Sequence, residues 1–325
     1  MSKAFRFYQH GGPDVLRFED VEVGAPGRGE VRLRNTAVAV NYRDVLVRSG
    51  IHAVKSFPSG IGLESAGVID AIGPEVSGLA VGDRVSCVAG PDGAYAELRL
   101  VPAACVVPLP DGIDERAAAA MMVRGMTARY LLHDTYRVQG GDTILIHAAA
   151  GGVGLIVCQW AKHLGATVIG TVSSEQKAEI ARAHGCDYPI VYTKENFAER
   201  VRVLTGGEGV AVVYDSVGKN TFKDSMRCLR RRGVLASFGE ASGDPDRVAP
   251  RRLGQLGSIY LTHPSLPDYT ATRDELLSTA NDLFAMVQSG KIRIDISQTY
   301  PLHEAPRAHA DLEARRTTGS IVLVV

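Results

Sequence analysis

From residue 142 onward, short apolar runs alternate with longer segments of helical pattern, and this alternation constrains the possible folds more than any other feature of the sequence. The predicted strands are DTILIHA, ATVIGTV, DYPIVY, GVAVVYDSVG, GVLASFG and GSIYLT. The predicted helices between the first five of them are GLIVCQWAKHLG, SSEQKAEIARAHG, NFAERVRVLTGG and TFKDSMRCLRRRG. Ser173 and Gln176 are predicted to form the capping box of the second helix, which Gly185 ends. Strands that alternate with helices of this length predict a parallel, doubly wound sheet.

The residues before this segment have a different pattern. Over the first ~120 residues, short β segments are broken by glycine and proline, as in EVRLRNTAVAV, SAGVIDAIG, GDRVSCVAG and AYAELRLV. Turn signals at about ten-residue spacing are typical of a barrel or a sandwich. The segment DERAAAAMMVRGMTARYLLHDTY then predicts a helix, and the tail contains the predicted helix RDELLSTANDLFAMVQSG and the apolar strand SIVLVV.

The order of these segments predicts two domains in an α/β protein. A chain of 325 residues, of which 45% are hydrophobic, is long enough to form two packed cores. The last strand needs a sheet to join, so we expect the tail to pack on the β-rich part. We place the β-rich domain at residues 1–122 and 267–325, and the doubly wound domain at residues 123–266.

Charge and cysteine content argue against several classes of function. Lysine and arginine number 36, as do aspartate and glutamate, so the sequence has no electrostatic footprint for nucleic acid or an anionic membrane. No apolar run approaches the ~20 residues of a membrane span, and the first residues do not resemble a signal peptide. Five widely spaced cysteines without a C-x-x-C pair predict neither a disulfide framework nor a structural zinc site. We therefore expect a cytoplasmic protein.

The segment AAAGGVG, residues 148–154, lies between the first strand and the first helix of the doubly wound part. A dinucleotide-binding fold places its phosphate loop here, because small residues let backbone N–H groups approach the pyrophosphate and the helix N-terminus adds partial positive charge. The usual G-x-G-x-x-G pattern is incomplete, since Ala149 occupies the first glycine position before Gly151 and Gly154. Alanine is small enough for a slightly more open turn, so we predict a dinucleotide site; the alternative is a tight turn without a ligand.

The end of the second strand predicts which dinucleotide binds. NAD-binding folds carry an acidic residue there for the ribose 2′-hydroxyl. Here the strand ends in Val172, Ser173 and Ser174, and the acid at Glu175 is predicted to lie one turn into the helix, near Lys177. Hydroxyl groups and a lysine suit a 2′-phosphate, which favours NADPH. Lys177 could equally be an ordinary solvent-exposed lysine of the helix. The absence of an acid at the strand end is therefore the stronger indication of NADPH.

The β-rich part lacks the pattern of a catalytic metal site. Zinc alcohol dehydrogenases polarise their substrate with a metal held by cysteine, histidine and a carboxylate, and usually carry a four-cysteine lobe. At the comparable positions this sequence has Tyr42 and Arg43, and Leu63 before Glu64, which we interpret as a structural carboxylate. Without a metal, the substrate must accept hydride readily, as quinones and α,β-unsaturated carbonyl compounds do. No acid–base pair is identified by pattern.

Together these segments resemble the zinc-independent quinone oxidoreductases of the medium-chain dehydrogenase/reductase superfamily, the group that includes ζ-crystallin. The resemblance is carried by NYRDVLVRSG, PSGIGLESAGVI, VGDRV, HAAAGGVGLIVCQWAKHLGATVIGTV, VVYDSVG, RRRGVLASFGEASG and TGSIVLVV. It extends nearly from end to end and looks especially close to the bacterial NADPH:quinone reductases. It implies a GroES-like catalytic domain formed from both chain ends, a Rossmann domain between them, NADPH in the cleft, and a homodimer.

The resemblance also implies a set of residues around the cofactor. Asn41 and Tyr42 are candidates for positioning the substrate and the nicotinamide, with no acid–base role assigned, and Leu46 is grouped with them. The other implied residues are Thr127 and Tyr130 on the helix entering the Rossmann domain, Gly152 and Val153 at the pyrophosphate, Ser173, Lys177 and Tyr192 at the 2′-phosphate, Val217, Phe238 and Gly239 in the cofactor groove, Pro264, Ser265 and Leu266 near the carboxamide, and Arg315 (or Arg316) from the tail. As alternatives, Val217 and Phe238 also fit a core, and Tyr192 a strand end.

Three positions depart from the family pattern. Leu46 and His52 stand where close relatives tend to carry tyrosines near the substrate cleft, and Ser320 stands where many relatives carry a lysine. We therefore expect the pocket to favour acceptors other than simple benzoquinones. The predicted function is NADPH-dependent reduction of a quinone. The alternatives are NADPH-dependent reduction of the C=C bond of α,β-unsaturated ketones or aldehydes, and a non-enzymatic NADPH-binding role as a structural or RNA-binding protein.

Overall fold

The computed structural model describes residues 1–88 and 90–325; Ala89, in the predicted segment GDRVSCVAG, lies outside the described residues. We number its strands and helices along the chain. The strands are β1 (Ser2–Phe7), β2 (Arg17–Val21), β3 (Glu30–Val40), β4 (Ser59–Gly60), β5 (Ser65–Ile72), β6 (Arg84–Cys87), β7 (Leu98–Pro102), β8 (Val106–Pro108), β9 (Thr143–Ile146), β10 (Thr167–Val172), β11 (Tyr188–Val191), β12 (Val210–Asp215), β13 (Leu229–Ser237), β14 (Tyr260–Thr262), β15 (Ile296–Pro301) and β16 (Ser320–Val324). The helices are α1 (Tyr42–Ser49), α2 (Glu115–Tyr130), α3 (Gly152–His163), α4 (Glu175–Ala183), α5 (Phe197–Leu204), α6 (Phe222–Cys228), α7 (Pro250–Gln255), α8 (Arg273–Gln288) and α9 (Ala305–Glu313).

The chain divides into two compact units, which we describe separately. The first unit contains Met1–Val123, Thr270–Gln288 and Ile294–Val325, and the second contains Arg124–Tyr269 and Ser289–Arg293. The division falls within α2, which continues into a π-helical turn at Leu131–Thr135. The second unit includes Ser289–Arg293, a short segment that the sequence analysis assigned with the rest of the tail to the β-rich domain.

The second unit is built on a six-stranded sheet. Its strand order is β11-β10-β9-β12-β13-β14, and every neighbouring pair is parallel. The first strand of this unit therefore lies between its second and its fourth, which is the order of a doubly wound dinucleotide-binding fold. The predicted parallel sheet and its sixth strand are confirmed. Folds of this kind bind ligands at the carboxyl ends of the strands, where the order reverses, and here that point lies between β9 and β12.

The core of the second unit explains why its strands read as uninterrupted apolar runs. All six residues of β12 are buried, because helices cover a doubly wound parallel sheet on both faces. Leu145, Ile169 and Val213 come from three adjacent strands and pack in one cluster with Phe197 of α5 and Phe222 of α6. The same cluster fixes the strand ends that precede the candidate site.

The first unit contains two sheets. One is antiparallel with the order β2-β1-β4, and the other has seven strands, in the order β15-β16-β3-β5-β6-β8 with β7 also paired to β3. Strand β16 runs antiparallel to β3, with Ile321 opposite Val40, and parallel to β15. Its residue Leu323 is buried in the same cluster as Phe7 and Tyr95. The tail therefore completes a sheet of the first unit, as its apolar last strand predicted.

One predicted helix is wrong in its second half. The segment TFKDSMRCLRRRG is helical only as far as Cys228, because Leu229 begins strand β13. Leu229 lies opposite Val210 of β12 and is buried in the core of the second unit. Pairing with a buried strand thus outweighs the helix propensity of leucine and arginine, and it leaves the three arginines that follow exposed.

The predicted capping box of α4 is also wrong by one residue. Ser174, not Ser173, is the cap, and its hydroxyl oxygen accepts a hydrogen bond from the Lys177 N–H at 3.3 Å. Glu175 is therefore the first residue of the helix rather than one turn inside it. The predicted end of this helix is confirmed, since Gly185 follows it with a left-handed φ of 91°.

Candidate functional site

The glycine loop joins β9 to α3 in the second unit. Ala148 has a left-handed backbone with φ of 53°, and its carbonyl oxygen accepts a hydrogen bond from the Gly151 N–H at 2.8 Å. Helix α3 begins at Gly152, so the N–H groups of Gly152, Val153 and Gly154 are the first of the helix and have no acceptor within it. These donors and the positive end of the helix dipole together suit an anion such as a pyrophosphate.

Two glycines allow this loop to pack closely. A β-carbon on Gly154 would lie 2.3 Å from the Ala148 oxygen and 2.8 Å from the Ala149 Cα, so only glycine fits. A β-carbon on Gly170 of β10 would lie 2.5 Å from the Ala149 Cβ. Ala149 itself is buried, and its N–H donates to the Thr171 carbonyl oxygen at 3.0 Å. Ala149 therefore fits the usual first glycine position because Gly170 on the facing strand has no side chain.

The residues predicted for the 2′-phosphate follow two adjacent parallel strands. Ser173 and Ser174 follow β10, and Tyr192 follows β11. The Tyr192 N–H donates to the Val172 carbonyl oxygen at 3.1 Å, so the two strand ends are held side by side. Lys177 lies in the first turn of α4, next to the cap at Ser174. Hydroxyl groups, a phenol and an ammonium group thus belong to one edge of the sheet.

Glu175, the first residue of α4, is paired with Lys194. The Glu175 Oε1 lies 2.8 Å from the Lys194 Nζ, and this hydrogen bond lowers the pKa of the Glu175 carboxyl. Both side chains are more than half exposed, so the pair is screened by solvent and contributes little to stability. Its electrostatic effect is to place a cation beside the carboxylate, which reduces the repulsion that a phosphate would meet here.

The ends of β12 and β13 are held by Asp215. The Oδ1 of this buried carboxylate accepts the N–H groups of Val217 at 2.8 Å and Gly218 at 3.1 Å. Its carbonyl oxygen accepts the Phe238 N–H at 2.8 Å. Val217 and Phe238 are only half-buried, unlike the strand residues before them, and a β-carbon on Gly239 would lie 2.9 Å from a backbone oxygen. The turn after β12 is therefore fixed beneath two half-exposed apolar side chains.

Tyr130, near the end of α2, is held by three neighbours in the second unit. Its ring stacks on Tyr269 with 4.4 Å between centroids and 9° between planes, and its hydroxyl donates to the Pro264 carbonyl oxygen at 3.5 Å. Burial raises the pKa of the Tyr130 phenol, and a hydrogen bond with the Thr127 side chain opposes this shift. The phenol is therefore neutral and serves as a hydrogen-bonding group rather than as an acid.

In the first unit, Asn41 precedes α1 and is bound to Glu64. The Asn41 Nδ2 donates to the Glu64 Oε2 at 3.1 Å, and the Val123 N–H donates to the Glu64 Oε1 at 2.7 Å. Glu64 is fully buried, so it acts as a structural carboxylate that orients the Asn41 amide. Tyr42, the first residue of α1, is 37% exposed, whereas Leu46 one turn later is buried.

A buried polar cluster supports the N-terminus of α1. The Asp44 Oδ2 accepts the Asn41 N–H at 2.9 Å and the Tyr95 hydroxyl at 3.0 Å, and the Tyr95 oxygen lies 3.0 Å from the His309 Nε2. Burial raises the pKa of Asp44 to about 6 and lowers that of His309 to about 3. The cluster ties Asn41 to helix α9 through three side chains, and the sequence analysis did not identify it.

Arg315 and Arg316 follow helix α9, and both are exposed. The Arg316 Nη1 lies 2.9 Å from the Asp311 Oδ1 in an ion pair, and Arg315 has a left-handed φ of 58°. Ser320 is buried, and its hydroxyl donates to the Ala120 carbonyl oxygen at 2.9 Å. Ser320 therefore belongs to the packing of β16 against α2.

The predicted cofactor residues fall into two sets. The second unit places one set at or just after the carboxyl ends of its parallel strands, namely Gly152, Val153, Ser173, Lys177, Tyr192, Val217, Phe238, Gly239, Pro264, Ser265 and Leu266, with Thr127 and Tyr130 on α2 in the same unit. Among the residues after β14, Pro264 and Leu266 are buried and Ser265 is exposed. The first unit contains Asn41, Tyr42, Leu46 and Arg315.

Comparison with known proteins identifies the family. The alcohol dehydrogenase GroES-like domain model matches residues 27–111, and the zinc-binding dehydrogenase model matches residues 152–279. The sequence is 50% identical to a quinone oxidoreductase of Pseudomonas aeruginosa, with 100% of each chain covered. The chain belongs to the quinone oxidoreductases of the medium-chain dehydrogenase/reductase superfamily. The resemblance seen in the sequence is thereby confirmed, as is the α/β fold with a GroES-like and a Rossmann domain.

Other members of the quinone oxidoreductase family and its neighbours match over the whole chain. The quinone oxidoreductase of Escherichia coli, whose crystal structure was solved in complex with NADPH, has a TM-score of 0.97 and 43% identity, with 99% of this chain and 100% of that chain covered. A 2-haloacrylate reductase from a Burkholderia species is 47% identical, with 100% of this chain and 99% of that protein covered.

We searched the described residues of this quinone oxidoreductase family member for metal-binding groups and membrane spans. Residues 1–88 and 90–325 contain no group of three or more histidine, cysteine, aspartate or glutamate side chains placed to hold a metal ion. Among the helices of the same residues, none combines the length and apolar composition needed to cross a membrane. The cysteines at 87, 105, 158, 186 and 228 are all free thiols.

Four buried polar residues below the glycine loop of this family member were not predicted from the sequence. His147 and Asp215 directly follow or end apolar strands, Thr171 lies in β10, and Ser225 lies in α6. All four are at most 2% exposed. A signal was present, since a histidine or an aspartate that ends a fully apolar run needs a buried partner. The sequence alone does not name that partner.

Proposed function

We propose that the protein is an NADPH-dependent quinone reductase that transfers hydride from the nicotinamide to a quinone without a metal. The observation that carries the proposal lies at the carboxyl ends of the parallel strands. The glycine loop follows β9 there, and Ser173, Ser174 and Lys177 follow β10, with Glu175 paired to Lys194. These features occur in a member of the quinone oxidoreductase family. NADPH supplies the hydride, and the protein supplies binding, orientation and electrostatics.

The residues of the second unit fit NADPH. The N–H groups of Gly152 and Val153 would bind the pyrophosphate at the N-terminus of α3, where Gly154 leaves room for close approach of the backbone. Ser173, Lys177 and Tyr192 would surround the 2′-phosphate. The similar Escherichia coli protein, solved with NADPH, supports this assignment.

The remaining residues of the second unit are assigned to the part of NADPH between the pyrophosphate and the nicotinamide, and to the nicotinamide itself. Val217, Phe238 and Gly239 would line its groove beside the turn that Asp215 holds. Thr127 and Tyr130, with Pro264, Ser265 and Leu266, would serve the nicotinamide end. The bond from the Tyr130 hydroxyl to the Pro264 carbonyl oxygen supports this grouping, because it fixes the backbone after β14.

The first unit would supply the reacting end. Asn41 is oriented by Glu64, and the Tyr42 phenol can donate a hydrogen bond to a quinone oxygen on which negative charge develops. Leu46 would give the adjoining surface an apolar character. Arg315 is the tail candidate that the family resemblance implies.

A second candidate function is reduction of an activated C=C bond. It is favoured by the 47% identity to a 2-haloacrylate reductase, whose named substrate is an α,β-unsaturated acid. Leu46 also replaces a tyrosine that close relatives tend to carry, which suits an acceptor other than a simple benzoquinone. Both reactions deliver hydride to an acceptor in which the developing charge is delocalised onto oxygen.

We further propose that the GroES-like domain comprises residues 1–122 and 267–325, that the Rossmann domain comprises residues 123–266, and that the protein is a cytoplasmic homodimer. Strand β14 lies at the edge of its sheet, and its Tyr260 and Leu261 are 60% and 38% exposed. An exposed apolar edge strand is commonly covered by a partner, here a second copy of the chain. Five free thiols fit a reducing compartment.

The test is consumption of NADPH and of NADH by the purified protein with 1,4-benzoquinone, a naphthoquinone, a linear enone and 2-chloroacrylate in parallel. Turnover of a quinone to hydroquinone with a strong preference for NADPH is expected. Turnover of only the alkenes, giving the saturated product, would move the function to the second candidate. A preference for NADH would contradict the 2′-phosphate assignment, and tight NADPH binding without any turnover would favour a non-enzymatic role.

A further inference from the structure

Four buried side chains form a continuous row of hydrogen bonds below the glycine loop, which we call the His147 chain: Thr171, His147, Ser225 and Asp215. The His147 Nδ1 lies 2.8 Å from the Thr171 Oγ1, and the His147 Nε2 lies 2.9 Å from the Ser225 Oγ. The Ser225 hydroxyl donates to the Asp215 Oδ2 at 2.8 Å. The row crosses three adjacent strands, from β10 through β9 to β12.

The direction of each hydrogen bond is fixed by the end of the row. An ionised carboxylate only accepts, so the Ser225 proton points to Asp215 and the Ser225 oxygen accepts from the His147 Nε2–H. The His147 Nδ1 must then accept from the Thr171 hydroxyl. Burial lowers the pKa of His147, which keeps the ring neutral and compatible with this arrangement.

This order differs from that of a catalytic serine site. There a histidine accepts the serine proton, whereas here the serine donates to the aspartate and the histidine donates to the serine. None of Thr171, His147, Ser225 or Asp215 is more than 2% exposed, so no substrate reaches them. The His147 chain therefore acts by holding other parts of the structure in place.

Both ends of the row support parts of the proposed NADPH site. The Thr171 carbonyl oxygen accepts the Ala149 N–H at 3.0 Å, so the strand residue that binds His147 also holds the glycine loop. At the other end, Asp215 accepts the N–H groups of Val217 at 2.8 Å and Gly218 at 3.1 Å. The pyrophosphate loop and the turn of the cofactor groove are thus joined through one imidazole ring.

We propose that His147 is a positioning residue for NADPH, which sets the spacing between the glycine loop and the turn at Val217 by bridging Thr171 and Ser225. The inference rests on the proposed function, because it assumes that NADPH spans both parts. A ligand that contacts two preformed parts binds less tightly when their spacing is no longer fixed. A ligand that contacts only the loop and the 2′-phosphate residues depends on this spacing much less.

The test compares the Kd of NADPH with that of 2′,5′-ADP, which lacks the nicotinamide half, by fluorescence and calorimetric titration. The variants are His147→Phe, Thr171→Val and Ser225→Ala, and His163→Phe at the exposed end of α3 is the matched control. Thr171→Val keeps the shape of the side chain, so it remains informative if His147→Phe folds poorly. Urea unfolding of each variant reports its stability independently.

His147→Phe and Thr171→Val are each expected to raise the Kd of NADPH about tenfold, while the Kd of 2′,5′-ADP rises less than about threefold. At saturating NADPH, kcat should stay within about twofold, which places the loss in binding. In the double variant Thr171→Val/Ser225→Ala, the Kd of NADPH should rise by less than the product of the two single increases, because both side chains act through the His147 ring. The ¹⁵N NMR spectrum should show a neutral His147 with its proton on Nε2.

Four results would overturn the inference. If the affinities for NADPH and 2′,5′-ADP fell equally, and in proportion to the fall in unfolding free energy, His147 would have a general structural role. A His147 ring with its proton on Nδ1 would contradict the direction of the row. NADPH binding that all three variants leave unchanged would overturn the inference alone, whereas a wild-type protein that binds no NADPH would overturn the proposed function together with it.

Discussion

The fit between Ala149 and Gly170 predicts the effect of adding one methyl group to β10. In Gly170→Ala, the new β-carbon would lie 2.5 Å from the Ala149 Cβ and 2.8 Å from the Cys186 Sγ. Gly170 has no left-handed φ, so the backbone itself tolerates alanine. The substitution therefore tests packing between the glycine loop and the neighbouring strand rather than backbone strain.

The expected cost follows from these two contacts. Both are about 1 Å shorter than the ~3.5–4.0 Å at which nonpolar atoms pack best, and overpacking of a core costs about 1–3 kcal/mol. Replacing glycine with alanine in a strand returns about 0.5–1 kcal/mol of backbone entropy. We expect Gly170→Ala to lower the free energy of unfolding by about 1 kcal/mol and, because Ala149 is pushed away, to weaken NADPH binding about tenfold.

Urea unfolding and NADPH titration measure the two effects. Adding Ala149→Gly to Gly170→Ala removes one of the two close contacts, so about half of the lost stability should return. Gly24→Ala is the matched control, since a β-carbon there would have no neighbour within 4 Å. The reasoning would be refuted by a Gly170→Ala variant with unchanged stability and affinity, or by the absence of any recovery in the double variant.

Three further outcomes are expected. Lys177→Ser should raise the Kd of NADPH about tenfold and that of NADH less than about twofold, and equal changes in titration would contradict its pairing with the 2′-phosphate. Burial raises the pKa of the Asp44 carboxyl from 3.8 to about 6, so its contribution to stability is full only below about pH 3 and is lost as the pH rises through about 6. Relative to Asp44→Asn, the wild-type free energy of unfolding in urea should therefore fall by roughly 2.5 kcal/mol between pH 4 and pH 7, and a constant difference would disprove this. Gly154→Ala should abolish detectable NADPH binding in calorimetry, because its β-carbon would lie 2.3 Å from a backbone oxygen, whereas Gly254→Ala with open space should bind normally.

The parallel sheet could be predicted because burial on both faces leaves a direct trace in the sequence. Strands such as β12, with six buried residues, appear as apolar runs, and helices α3, α4 and α5 are each followed by a glycine with a left-handed φ. The β13 strand shows the limit of this reasoning. Its first residues, from Leu229 through the arginines, favour a helix locally, and only pairing with Val210 makes them a strand. Such pairing depends on residues that are distant in sequence.

Site residues could be predicted only where a local sequence motif is typical of one kind of ligand. The glycine loop and the strand end at Ser173 were predicted from local pattern, and the structure places both at one sheet edge. Helix α1 was missed although Asn41, Asp44 and a following Gly50 with φ of 90° are ordinary helix-end signals, because the surrounding segments have a β pattern. The tolerance of Ala149 depends on Gly170, a partner on another strand that no linear pattern indicates.

The place of β16 between β15 and β3 has a consequence for biosynthesis. Residues 320–324 pair with the strand at residues 30–40, so the larger sheet of the first unit stays incomplete until residue 324 has left the ribosome. The second unit is nearly continuous in sequence and can close its sheet once residue 262 has emerged. Residues 30–40 are therefore synthesised before the second unit, but they can pair with β16 only after that unit has emerged.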